Sequence, residues 1–251
     1  MDRDTLLSEY EKGRKDFSNL QLNSIDLRET CLTYLNLNYS HLTDARLSSA
    51  HLFAVKLNGA QLAKASFKKT TASRGEFKGA NLRQACLLEA HLTRADFSQA
   101  ILDRTILSQA NLNHIAAYET SLKWAHLQGA RLNEAELVKS DFTRASLIKA
   151  EMTNALLDET VFEQAYLMKA DLFGAIITQA NFKEADLSEA SLSYARIEKT
   201  CFEGAYLVGA YLNSAYLNKT SLMGASVERV SFRHANLKEL WLGNPKPFQK
   251  N

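Results

Sequence analysis

Large apolar residues recur at every fifth position along almost the whole chain, and a small residue stands two places before each. In residues 185–197, ADLSEASLSYARI, the large set is Leu187, Leu192 and Ile197, and the small set is Ala185, Ala190 and Ala195. Stepping by five from Leu22 to Leu242 gives 45 positions, 31 of them Leu and 8 Phe; the positions two before hold 28 Ala and 7 Thr. A helix turns about 100° per residue, so a step of five would smear this set around the cylinder. A straight strand would throw successive members onto opposite faces. Neither regular backbone is therefore the repeating element. Two residues apart, however, the small and large side chains can both point inward from a short extended piece, and the two residues that follow turn the chain. Each five-residue unit is one short side and one corner of a coil.

The number of sides follows from a longer spacing. Phe recurs at 142, 162, 182 and 202 and again at 77 and 97, while Thr holds 120, 160, 200 and 220. Four units per coil stack like on like; a three-sided coil would scatter these residues over different faces. The units ADLSE (185–189), ANLRQ (80–84), ADFSQ (95–99) and ANFKE (180–184) resemble the A(D/N)LXX motif of pentapeptide-repeat proteins. The resemblance spans most of the chain and implies an all-β solenoid, a right-handed quadrilateral β-helix. At four units per coil the 45 units make about 11 coils, and stacking at roughly 4.8 Å gives a rod on the order of 50 Å long. Ala72 and Ala117 thin the core. Ile115 restores volume beside Ala117, whereas nothing near Ala72 does, so a local weak point is expected there.

The ends depart from the repeat. Residues 1–17 are expected to form an N-terminal helical cap, 18–242 the β-helix and 243–251 a tail. The stretch DTLLSEYEKG (4–13) reads as a short helix with Asp4 or Thr5 as N-cap and Gly13 as terminator. Its Leu6, Leu7 and Tyr10 would cover the first coil, where Phe17 begins the core. LLSEYEKGRKDFSNLQL is similar to the leader of stand-alone cyanobacterial members of the family. At the other end Leu240 occupies the small position beside Trp241 and Leu242, and two prolines end the pattern.

Met1 is followed by charged residues, and no stretch approaches 18 consecutive apolar residues, so neither a signal peptide nor a membrane span is expected. Cys31, Cys86 and Cys201 precede central residues and point outward on different columns, which suits free thiols in a reducing cytoplasm. No phosphate loop, HExxH, CxxC or nucleophile elbow occurs. His51 and His91 share a column but stand two coils apart, about 10 Å, too far to share a metal. A smooth rod without inserted loops offers no enclosing pocket. An enzyme is not expected, and no cofactor or metal is implied.

The surface carries what function there is to read. Lys56, Lys64, Lys68, Lys69, Arg74, Lys78 and Arg83 form a basic band interrupted only by Glu76, while residues 134–163 hold seven acids against three bases. The chain then reads as electrically polar from end to end despite a net charge of +2. Tyr206, Tyr211 and Tyr216 precede successive central residues and so lie on three adjacent sides of one coil, with Tyr166, Met168, Tyr194, Val208 and Met223 nearby, Ile148 further back and Trp241 toward the terminus. Aromatic and Met enrichment without charge is typical of interface cores. A non-enzymatic scaffold or regulatory protein-binding module is the first reading, with an unidentified protein partner or a homodimer through the C-terminal third. The resemblance suggests a second, a DNA-mimicking modulator of gyrase, since gyrase-protecting relatives are strongly acidic rods. The third is nonspecific nucleic-acid binding by the 56–83 band, which lacks interleaved aromatics.

Overall fold

The computed structural model of the chain describes residues 1–242; the expected 243–251 tail lies outside them. The residue before each central apolar position pairs in parallel with the residue 20 further on, from Asp16↔Asn36 to Tyr211↔Ser231. A pairing interval of 20 with a corner every five residues makes four sides per coil, a quadrilateral β-helix. The central and small positions point inward, and one buried core runs from Leu6 and Phe17 to Leu222. We call the side bearing Phe182 and Phe202 the first, Leu187 and Leu207 the second, Leu192 and Leu212 the third, and Ile197 and Leu217 the fourth.

Backbone polarity is satisfied between coils. Leu187 N donates to Tyr206 O at 2.7 Å, and Tyr206 N donates back to Ala185 O at 2.9 Å. At a corner, Ala185 N donates to Phe182 O at 3.0 Å, with Glu184 between them at φ +57°. Corners on the fourth side are partly open. There β1 (Ile176–Thr178), β2 (Arg196–Glu198), β3 (Tyr216–Ser221) and β4 (Asn236–Trp241) form one parallel sheet in chain order, with Leu217 opposite Leu237. The central carbonyls here are met by hydroxyls from the next coil: Thr200 Oγ1 donates to Ile177 O at 3.1 Å and Thr160 Oγ1 to Leu137 O at 2.9 Å. At Ile177, where the corner lacks its own backbone bond, this hydroxyl is the partner that a buried carbonyl needs. Leu137 O also accepts the Ser140 amide at 3.1 Å, and Thr30 and Thr105 turn instead to the carbonyls of their own units, Leu27 and Leu102.

The phenylalanine columns stack as their spacing requires. Phe142, Phe162, Phe182 and Phe202 follow one another at centroid distances of 5.0, 4.7 and 4.9 Å with nearly parallel planes. The thin spots of the core fall differently from the expectation. Beside Ala72 the Phe77 ring leans over Gly75, where a Cβ would come within 2.7 Å of it, and meets Phe67 edge-on at 6.1 Å. The ring fills what Ala72 leaves. The void lies instead at Ala117, among Phe97, Leu112, Ile115 and Phe142, with about 10 Å³ of free space. Ile115 lines this void together with Ala117 and does not close it. A space of that size and apolar lining stays dry.

Helix α1 (Arg3–Glu11) precedes the first coil. Its N-cap is Asp2 rather than Asp4 or Thr5, because the Asp2 carboxylate accepts the Thr5 amide at 2.9 Å and leaves Asp4 in the first turn. Leu6 is buried, Leu7 and Tyr10 pack on the core, and Tyr10 donates its hydroxyl to Thr33 O at 3.0 Å. Gly13, at φ +97°, lets the chain leave the helix.

Candidate protein-binding surface

The outward residues flanking each central one make a narrow flat strip on each side of the coil. Tyr206 and Val208 flank Leu207 on the second side, whereas Tyr211 stands on the third, Tyr216 on the fourth, and Met223 and Trp241 on the first. Adjacent sides face at right angles, so these six residues are spread over all four faces of the rod and no one flat surface holds them together. Tyr216 is also half-buried, with Lys238 Nζ 5.7 Å from its ring centroid.

The second side assembles a different group. Its ladder runs Ser146↔Tyr166↔Asp186↔Tyr206, one coil per step. Met168 follows Tyr166 on this side as Val208 follows Tyr206, and Ile148 lies one coil before Met168. Tyr166 and Tyr206 are each about half exposed, at 51% and 53%. Where this side meets the first, a groove of about 570 Å³ is lined by Trp124, Arg144, Gln164, Tyr166, Glu184, Asp186 and Tyr206. The Arg144 guanidinium sits 4.7 Å over the Trp124 ring and donates to Gln164 Oε1 at 2.5 Å. Gln164 Nε2 in turn donates to Glu184 Oε2 at 2.8 Å. Trp124 and Arg144 escaped the sequence reading because they sit at corners. The step of 20 linking 124, 144, 164 and 184 was the signal that could have found them.

The basic band disperses. Lys56 and Lys78 stand on the fourth side, Arg83 on the first and Lys68 on the second, with Lys64, Lys69 and Arg74 at corners, so the band encircles the rod. Four of the seven meet acids one coil on: Lys56–Glu76 at 3.9 Å, Lys69–Glu89 at 3.5 Å, Lys78–Asp96 at 3.0 Å and Arg83–Asp103 at 3.4 Å. Arg74 lies 5.9 Å over the Phe53 ring. The acidic stretch is matched the same way by bases 18 or 20 residues earlier: Lys123–Asp141, Arg131–Glu151 and Lys139–Glu159. Charge counted along the sequence suggested a polar rod, but partners lie a full coil apart, and four of the seven bases and three of the seven acids meet a charged partner there. Burial works against ionisation of Asp96 and Asp141. Their bonds from Ser98 and Thr143 and their lysine partners outweigh it and hold both below the usual carboxylate range. Asp26, bonded to Arg28 and near Arg46, lies lower still.

Among the described residues no group of three His, Cys, Asp or Glu side chains is placed to hold a metal ion. No described helix is long and apolar enough to cross a membrane. Cys31 is exposed and Cys86 and Cys201 are half-buried, all three unpaired.

The family description "Pentapeptide repeats" matches in eight copies, over residues 30–68, 45–84, 76–113, 125–164, 165–204 and 200–238. No curated protein matches the chain. Among solved structures the chain is similar to HetL, a pentapeptide repeat protein involved in heterocyst differentiation regulation from the cyanobacterium Nostoc sp. strain PCC 7120. That match has 24% identity and a TM-score of 0.39, covering 98% of this chain and 99% of that one. A pentapeptide repeat protein from the Arabidopsis thaliana thylakoid lumen matches at 29% identity and TM-score 0.38, over 38% and 67% of the two chains. Full-length QnrB1, a plasmid-mediated fluoroquinolone resistance protein, matches at 16% and 0.32, over 90% and 94%.

Proposed function

The chain belongs to the pentapeptide-repeat family, and from that premise we propose that it works without catalysis, as a rigid right-handed β-helix presenting its second side to a protein partner in the cytoplasm. The observation that carries this reading is the strip of Ile148, Tyr166, Met168, Tyr206 and Val208, gathered on one flat side next to the aromatic groove. Aromatic rings and Met bring large apolar area at modest entropic cost, as interface cores do. A side held by hydrogen bonds in every coil has little backbone order left to lose on binding. Nucleic-acid binding loses support, because most of the band's cations already face acids. DNA mimicry of a gyrase ligand would need a strongly negative surface, and the chain sums to +2; inhibition of supercoiling by the purified protein would favour it.

The test is capture of partners from extracts of the source cells. A Tyr166→Ser, Met168→Ser, Tyr206→Ser variant should melt close to the parent and lose its captured protein, while Tyr211→Ser on the third side keeps it. Equal retention by the triple variant and the parent would sink this choice of surface.

A further inference from the structure

We propose that Tyr166, Asp186 and Tyr206 form a slot for an arginine side chain carried by a basic segment of the partner; this rests on the docking reading above and names its anchor. Asp186 is flanked in its ladder by Tyr166 on one coil and Tyr206 on the other. Over most of the surface an ion-paired acid has its base 18 or 20 residues earlier, as in Lys78–Asp96 and Lys169–Glu189. For Asp186 those positions are Met168 and Tyr166. Among the described residues its carboxylate accepts only the Ser188 amide, at 2.9 Å, and makes no ion pair. The cation that completes the pattern elsewhere is thus replaced by apolar side chains, and the acid is left facing outward between two rings.

The dimensions fit a guanidinium. Tyr166 and Tyr206 are two coils apart, about 10 Å at the backbone by the strand spacing, so a cation midway lies about 5 Å from each. That is within reach of both ring faces. Arginine suits the slot better than lysine, because its planar fork can bond both carboxylate oxygens while its faces lie against aromatic rings. At the far end of the groove a guanidinium already lies against an aromatic ring, where Arg144 stacks on Trp124. Glu184 beside Asp186 leaves the lining with one more acid than base and selects a basic rather than an acidic segment.

The probe is a five-residue peptide with one arginine between glycines, titrated into the full chain while the tyrosine ring resonances are followed by NMR. Saturable shifts are expected at Tyr166 and Tyr206 and not at Tyr211. The lysine peptide should bind more weakly. Asp186→Asn keeps the acceptor for Ser188 and should weaken binding by about tenfold or more, the worth of one charge-assisted bond. Binding unchanged in Asp186→Asn, shifts spread evenly over the acidic surface, or no saturable shift at all would each overturn the slot. Capture separates it from the broader reading. A partner lost by the triple variant but held by Asp186→Asn removes the slot alone, whereas a partner held by both removes the docking surface as well.

Discussion

At most corners a residue with a side chain sits in the left-handed region, from Asn19 at φ +58° to Glu239 at φ +46°. Each such residue costs on the order of 1 kcal/mol relative to glycine, and the coil tolerates it because the same residue donates its amide to the next coil, as Glu189 N does to Val208 O at 2.9 Å. Gly79 (φ +62°) isolates the backbone part of this cost, since a Cβ there would meet nothing within 4 Å. Gly79→Ala should therefore lose about 1 kcal/mol in denaturant melts. Gly59→Ala should lose more, because its Cβ would come within 2.5 Å of the Tyr39 ring. Equal stability of all three proteins would remove strain as the reason for glycine at these corners. Inward and outward positions separate more sharply. Leu187 is fully buried, so Leu187→Asp places a charge between stacked coils and should prevent folding or cost several kcal/mol, of the order of 4. Ser188→Asp on the outer strip should shift the melt only slightly, and matching losses would contradict the burial pattern.

The coil is the element of this molecule, and its outline was readable because the inward positions obey a strict period. Five-residue spacing gave the corner, and Phe at 142, 162, 182 and 202 gave the four sides now seen as one ring stack. What stayed hidden depends on neighbours a coil away. The filling of Ala72 relies on how Phe77 lies against Gly75, and the void at Ala117 remains although Ile115 lines it. The candidate surface was half legible for the same reason. That the tyrosines face out, and that Tyr206 shares a side with Tyr166 rather than with Tyr211, follows from the steps of five and 20; the groove beside them depends on how corner side chains such as Trp124 and Arg144 lie against one another. Links between coils also set an acid dependence. Asp96 and Asp141 have depressed pKa values when folded, so their stabilisation is present above the unfolded value, about pH 3.9, and is lost as pH falls through the folded one. An Asp96→Asn, Asp141→Asn variant should lose stability less steeply than the parent between about pH 4 and pH 2, read from urea melts across that range; identical slopes would show these two pairs do not contribute. At the N-terminal end, removal of residues 1–16 takes away Leu6, Leu7 and Tyr10 and uncovers the first coil. The shortened chain should keep its β signal but melt earlier or associate, and a monomer as stable as the parent would deny α1 a capping role.

As a whole the molecule is a stack whose two ends differ. α1 lies over the first coil, whereas at the other end, among the described residues, β4 pairs with β3 alone. Val227 and Leu237 occupy positions that are buried in earlier coils, yet are 37% and 45% exposed, and Trp241 and Leu242 beside them are more than half exposed. Exposed core residues next to an unpaired strand edge invite another edge. A second copy related by a two-fold axis would bring the same residues of both chains together and bury both open coils at once. We therefore expect mass to rise with concentration in light scattering, and Leu237→Lys with Trp241→Lys to hold the chain as a monomer. The second-side variant should associate like the parent, because Tyr166 and Tyr206 face outward from the stack rather than along it. A parent that stays monomeric over the whole concentration range would leave this end without a second copy. A parent that associates equally with and without the two lysines would place the contact elsewhere on the rod.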